Sequence, residues 1–343
     1  MQQRIRFTLI GLLFLMSYIL INAPQVCATI FVANQNSVVT WSDDATGDTS
    51  PTANINGPAT TLNQPQAVAV AGSWIYVSNS DNNSIDIFPI NGTDNIAPTR
   101  SIKGAATTLN YPWGIAVDAN WIYVANHGNQ SVDIFPINGT GNIAPTRAIQ
   151  GSNTTLGDSI GPIGVAVDAN WIYVNNTYNG NIAVFPINGT DNIAPTRSIQ
   201  GAATTLDVAH AMTVDANWIY VADFNAGNID VFPINGTGDI APTRAITSLI
   251  NPNGIAVDAS WIYASSIEDN SINVFPIDGT GDIAPTRSIQ GAATTLSSPA
   301  GVAVYNGTSA SVGVPTLNEW GIIIFMTLAG LCSVFYLRRQ RKA

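Results

Sequence analysis

The stretch VDANWIYVANHGNQSVDIFPINGTGNIAPTR, residues 117–147, recurs in five copies with small changes. Its phrase Pro-Ile-Asn/Asp-Gly-Thr begins at Pro89, Pro136, Pro186, Pro233 and Pro276, at intervals of 47, 50, 47 and 43 residues. One copy holds four short runs rich in β-branched and aromatic residues: Gly114–Asp118, Trp121–Ala125, Ser131–Phe135 and Thr146–Ile149. Asp-Ala-Asn, Asn-Gly and Ala-Pro turn chemistry separates them. A period in the forties made of four β-type runs indicates propeller blades rather than a helical solenoid.

The first run starts near Ala67, Gly114, Gly164, Ala211, Gly254 and Gly301, which sets the number of blades at six. Ile30-Phe31-Val32, Val38-Val39-Thr40-Trp41 and Thr52-Ala53-Asn54-Ile55 match runs two, three and four, and Gly301–Val304 supplies the missing first run. The expectation is an all-β, six-bladed ring of four-stranded blades over residues 29–306, closed by pairing its two ends. Closure satisfies edge hydrogen bonds that a linear array leaves open. Neighbours cover both faces of each blade, so runs such as Trp-Ile-Tyr-Val need not alternate with polar residues. Packing alone therefore accounts for the repetition.

The segments GIAVDANWIYVANHGNQSVDIF and MTVDANWIYVADFNAGNIDVF resemble the NHL repeat family, which pairs an Ala-Val-Asp strand with a Tyr-Val-Ala-Asp strand before Asn-rich and Val-Phe segments. The resemblance covers roughly residues 29–305. It departs from the family pattern where Ser or Asn replaces the basic residue after the Asn pair, and in the long Pro-Ile-Asn-Gly-Thr connection. It implies a propeller that serves as a binding platform, the commonest role of such domains, with a few enzymes among them.

Charge and cysteine narrow the function classes. Between Asp43 and Arg287 lie 21 acidic and 6 basic side chains, a net charge of −15, which repels phosphate backbones and argues against a nucleic-acid partner. Arg4 and Arg6 precede an apolar run from Phe7 to Ile21, and Val26-Cys27-Ala28 offers small residues for a signal peptidase. Residues 1–28 thus read as an export signal, the alternative being an uncleaved anchor. Cys27 falls in that signal and Cys332 in the apolar tail, which leaves the ring no disulfide and no thiolate.

The tail sets the expected location. After a linker at 307–313, residues 314–343 read VPTLNEWGIIIFMTLAGLCSVFYLRRQRKA. Residues 321–337 are uncharged and predict one transmembrane helix, with Arg338, Arg339, Arg341 and Lys342 cytoplasmic and the ring outside. Val314–Gly321 resembles the bacterial IPTL-CTERM sorting signal. That resemblance implies recognition by an exosortase-type processing enzyme through Pro315, Thr316, Leu317, Trp320 and Gly321. A plain C-terminal anchor gives the same topology.

Candidate site residues come from where the repeat breaks. The spacing from Pro-Ile to the next Arg is always 11, and that from the first run to Pro-Ile always 22. Variation sits between the fourth run and the next first run, where Arg100–Gly114, Arg147–Gly164 and Arg244–Gly254 differ by 14, 17 and 10, and after run two. In an antiparallel blade both turns share one face. Tyr111, Trp113, His127, Tyr178, His210, Asp223 and Phe224 break the repeat there and suit a saccharide or a peptide. Two histidines alone are a weak metal or base signal. The repeated Asp118, Asp168, Asp215 and Asp258 read as turn acceptors. The five repeated arginines read as strand-to-strand partners of Asp86, Asp133 or Asp230, and the Asn-Gly-Thr sequons as turns.

The expected protein is an exported, surface-associated binding or scaffold module for a polysaccharide or protein ligand, with no catalytic residue, metal or cofactor assigned. The alternative is a metal-dependent propeller hydrolase or lactonase working in the central channel. Acidic residues are plentiful enough for it, yet Glu268 is the only glutamate in the ring.

Overall fold

The Asp-Ala-Asn turn builds the first hairpin of most blades. In the computed structural model, which describes residues 28–157, 161–177 and 180–307, Asp118 Oδ1 accepts from the N–H groups of Asn120 (2.7 Å) and Trp121 (2.8 Å). Its Oδ2 accepts from the Tyr123 hydroxyl at 2.7 Å. Asp168, Asp215 and Asp258 make the same three bonds. One short carboxylate thus fixes the reversal and satisfies a tyrosine that is otherwise fully buried.

Four strands then form each blade. The second blade is β4 (Pro65–Ala71), β5 (Trp74–Asn79), β6 (Ser84–Pro89) and β7 (Arg100–Lys103). The third is β8 (Pro112–Val117), β9 (Trp121–Asn126), β10 (Ser131–Pro136) and β11 (Arg147–Gln150). The fourth is β12 (Gly164–Val167), β13 (Trp171–Asn176), β14 (Asn181–Pro186) and β15 (Arg197–Gln200). The fifth is β16 (Ala209–Val214), β17 (Trp218–Asp223), β18 (Asn228–Pro233) and β19 (Arg244–Ile246). The sixth is β20 (Pro252–Val257), β21 (Trp261–Ser266), β22 (Ser271–Pro276) and β23 (Arg287–Gln290). The first blade combines β1 (Thr29–Asn34), β2 (Ser37–Ser42) and β3 (Ala53–Asn56) with the last strand, β24 (Val302–Tyr305). Thr29 pairs with Tyr305 and Val32 with Val302, so the two ends of the described chain close the ring. The protein is an all-β, six-bladed propeller of four-stranded blades.

The core lies between blades. Ile85, Ile87 and Tyr76 of the second blade pack on Ile122, Val124 and Phe135 of the third, and five equivalent clusters complete the circle. Burial of one such side chain contributes about 1.5–3 kcal/mol. The second strands are buried along nearly their whole length, which explains why Trp-Ile-Tyr-Val does not alternate.

The long Pro-Ile-Asn-Gly-Thr connection has a structural role that its sequence did not disclose. Each one crosses to the preceding blade and bridges its outer strand in parallel: Asp94 to Ile55, Gly141 to Ile102, Asp191 to Ile149, Gly238 to Ile199 and Gly281 to Ile246. Gly47 does the same for Ile289. All six outer edges are thereby covered.

The arginines do not pair with the strand aspartates. Arg100 lies opposite Ile87, while Asp86 lies opposite Ser101, so the two side chains leave the sheet on opposite faces. Arg100 stacks over Trp74 at 5.2 Å and donates to Ile137 O at 2.9 Å on the next blade. Arg147, Arg197 and Arg244 repeat this arrangement.

Two close approaches pin the inner strands. A Cβ on Gly114 would sit 2.4 Å from Ile163 O, and one on Gly254 2.1 Å from Ala300 O. Among the described residues no helix is long and apolar enough to cross a membrane. The expected export signal up to Cys27, the linker beyond Gly307, the sorting motif and the run 321–337 lie outside the described residues.

Candidate functional site

Connections from outer to next inner strand share one face with the turns between second and third strands, and there the structure joins five candidate residues. Tyr111 and Trp113 enter at β8, His127 follows β9, His210 belongs to β16 and Phe224 follows β17. Trp113 stacks on His127 (5.5 Å between ring centroids, 27°) and meets His210 edge-on (5.5 Å, 81°). His210 stacks on Phe224 at 4.5 Å, and Tyr111 lies 6.4 Å from Trp113 and 6.1 Å from His127. The result is an unbroken arc of rings from the third blade to the fifth, in geometries that favour π contacts.

Backbone chemistry holds the arc. Tyr111 occupies the left-handed region (φ 55°) and donates its N–H to Asn83 Oδ1 at 2.7 Å, which leaves its ring 40 % exposed. His127 Nδ1 lies 3.1 Å from Gly161 O. Asn175, buried in β13, donates to Ala209 O (2.7 Å) and His210 O (2.6 Å) and clamps β16 at the mouth of the ring. Sequence reasoning overlooked Asn175. Its signal was the replacement of Ser or Ala, found at Ser78, Ala125, Ala222 and Ser265, by a two-donor amide.

Electrostatically the arc is neutral at physiological pH. Burial pushes the His210 imidazole down to about 4 against a weak opposing pull from Asn253, and burial also lowers His127. Trp113 Nε1 and His210 Nδ1 are buried with no hydrogen-bond partner. Gln66 and Asn253 line the same mouth.

Asp223 does not join this surface. It ends β17, is fully buried, and accepts from Asp207 N–H at 2.7 Å through Oδ2. The cause is register: Asp223 faces Asn228 across the hairpin and so turns toward the blade interior with Asp230, instead of out into the following loop. Burial first, then the Asp223 charge, raises Asp230 to about 7, and burial raises Asp223 to about 6. Tyr178 lies outside the described residues.

The central channel is formed by β4, β8, β12, β16, β20 and β24 around a cavity of about 240 Å³. Its wall is Val, Ala, Ile and Met, with Thr213 the one polar side chain. No carboxylate or imidazole there would hold a divalent ion. Among the described residues no three His, Cys, Asp or Glu side chains converge as a metal site.

No family model matches the sequence, and no curated protein matches it. Solved structures do. One, a crystal structure of a nidogen/laminin complex, superposes with a TM-score of 0.62 at 15 % identity, covering 82 % of this chain and 99 % of that one. A protein provisionally named 6-phosphogluconolactonase, from Bacteroides fragilis NCTC 9343, gives a TM-score of 0.54 at 15 % identity over 82 % and 85 % of the two chains. A functionally unknown protein from Desulfotomaculum acetoxidans DSM 771 gives 0.51 at 13 % identity over 76 % and 79 %. At such identities the likeness establishes the fold, a β-propeller, and carries no activity across.

Proposed function

We propose that the protein is a binding module that docks an extended, neutral saccharide across the aromatic arc. The observation that carries this reading is the continuous contact from Tyr111 through Trp113 to Phe224, bordered by the amides of Gln66 and Asn253. Flat apolar rings suit the C–H faces of sugars, and a few amides suit their hydroxyls. A net charge of −15 in the ring disfavours polyanionic glycans. The nidogen/laminin likeness is compatible with a propeller that binds, and the apolar channel wall gives the lactonase reading no ligands to work with.

Titration of the full chain with neutral and acidic polysaccharides, followed by tryptophan fluorescence, tests the proposal. A neutral polymer should bind, and Trp113→Ala and Tyr111→Ala should each weaken binding about tenfold or more. Binding that survives both substitutions, or binding of acidic polymers alone, refutes it.

Location enters the same proposal. The NHL-like ring is exported by residues 1–28, held at the membrane by 321–337 and sorted through the Val314–Gly321 motif by an exosortase-type enzyme. N-terminal sequencing of the mature protein should begin at Thr29, and Pro315→Ala should retain the tail on the protein. A mature chain that begins at Met1 removes the export signal from the proposal.

A further inference from the structure

The second and third blades serve as internal controls for the fifth, which departs from them in one place. In the second blade Asp86 accepts from Asn79 Nδ2 (3.0 Å), Ser84 Oγ (3.2 Å), Thr61 Oγ1 (3.2 Å) and Ser101 Oγ (2.6 Å). In the third, Asp133 accepts from Asn126 Nδ2 (2.7 Å), Ser131 Oγ (2.9 Å) and Thr108 Oγ1 (3.1 Å). The carbonyls of Thr61 and Thr108 each accept two further amides, from Asn79 and Asn82 and from Asn126 and Asn129.

At the corresponding positions the fifth blade has Asp223 for Asn79, Ala226 for Asn82, Asn228 for Ser84 and Ala245 for Ser101. Asp207 also stands where Asn63 and Asn110 stand. Asp223 and Ala226 remove two amides and Ala245 a hydroxyl, while Asn228 puts in place of the Ser84 hydroxyl an amide that makes no hydrogen bond to Asp230. Asp223 and Asp230 are both 0 % exposed, and Asp223 Oδ1, Asp230 Oδ1 and Asp230 Oδ2 have no hydrogen-bond partner. Two adjacent buried carboxylates with three unpartnered oxygens between them are costly unless something positive stands there.

We propose that the fifth blade binds one calcium ion between Asp223 and Asp230, where the second and third blades instead hold an asparagine–aspartate pair. The unpartnered atoms are all oxygen, Asp223 Oδ1 and both Asp230 oxygens, and Thr205 and Asn228 hold the positions from which Thr61 O and Ser84 Oγ face the same pair in the second blade. Such donors suit a hard cation that takes six to eight oxygens in flexible geometry, with water completing the shell. Two carboxylates balance a divalent charge. The exposed Asp207 carboxylate adds negative potential at the entrance without joining the shell. The site lies inside a blade and is separate from both the channel and the aromatic arc.

Asp223→Asn tests this cleanly, because it restores the Asn–Asp pair that the second and third blades already fold around. The full chain, stripped with EDTA at pH 7.5, is melted with and without excess CaCl2 and titrated with CaCl2 by calorimetry. The wild type should gain roughly 5 °C at a hundredfold excess over Kd and bind one ion per chain. Asp223→Asn should show neither effect and should melt near the calcium-loaded wild type. Asp230→Asn should also lose the response. A wild type that neither shifts nor binds overturns the proposal and leaves the pair sharing a proton. An equal calcium shift in Asp223→Asn overturns it as well, by placing the ion elsewhere.

Discussion

Val208 shows how local cost is tolerated for placement. It sits at φ 59°, in the left-handed region that β-branched side chains avoid, and the equivalent Gln64, Tyr111, Asn251 and Ser298 share that conformation. Replacing Val208 by Asn, the residue the sixth blade uses, should stabilise the protein by about 1 kcal/mol in urea denaturation. An unchanged midpoint would mean that the strain is relieved elsewhere. Two titrations at this scale have opposite signs. His210 is held at about 4 against an ordinary 6.5, so the unfolded chain binds a proton that the native state refuses. Its contribution to stability is full above pH 6.5 and is lost as pH falls toward 4. Asp223 and Asp230, raised from 3.8 to about 6 and 7, hold protons that the unfolded chain has released. In metal-free buffer their contribution therefore falls as pH rises from 3.8 to about 7. Melting temperatures across this range should lose the acid-side slope in His210→Asn and the opposite slope in Asp223→Asn.

Elements in this ring are fastened to their neighbours more than to themselves. Arg147 illustrates the fastening: its guanidinium lies 5.1 Å from the Trp121 ring and donates to Ile187 O (2.9 Å) and Gly189 O (3.1 Å) of the fourth blade. Arg147→Ala should cost about 1–3 kcal/mol. Arg147→Lys should recover little of it, since an ammonium cannot stack and fork at once. Full recovery by lysine in a denaturation series would reduce the role to bare charge. The inner strands depend on a different contact. Gly254→Ala would drive a methyl to 2.1 Å from Ala300 O, a backbone atom that cannot step aside. About 2 kcal/mol or more of stability should disappear, read from the same denaturation curves. These dependences explain the fixed spacings of 11 and 22: each carries a contact that must land on the next blade.

At the scale of the whole molecule, closure rests on four residue pairs between β1 and β24. Deleting residues 299–343 should expose the edge of β1, lower the melting temperature sharply and promote association, whereas deleting 308–343 should leave the ring closed. Size-exclusion chromatography with thermal melting separates the two outcomes. Equal behaviour of the two deletions would show that covered outer edges suffice without the inner seam.

Strand identity, blade number, the order in which the ends join and the turn role of Asp118 and its equivalents follow from the sequence, because β-periodicity and Asx turns are local properties repeated often enough to read. The face carrying Tyr111, Trp113, His127, His210 and Phe224 was also legible, from where the spacing varies. Contacts between those rings were not, since the one that links the blades, Trp113 to His210, joins residues 97 positions apart. The arginine partners, the edge-covering connections and the buried Asp223–Asp230 pair were equally hidden. Each depends on which side of a strand a residue leaves and which blade stands next to it, and those relations arise only when the ring closes.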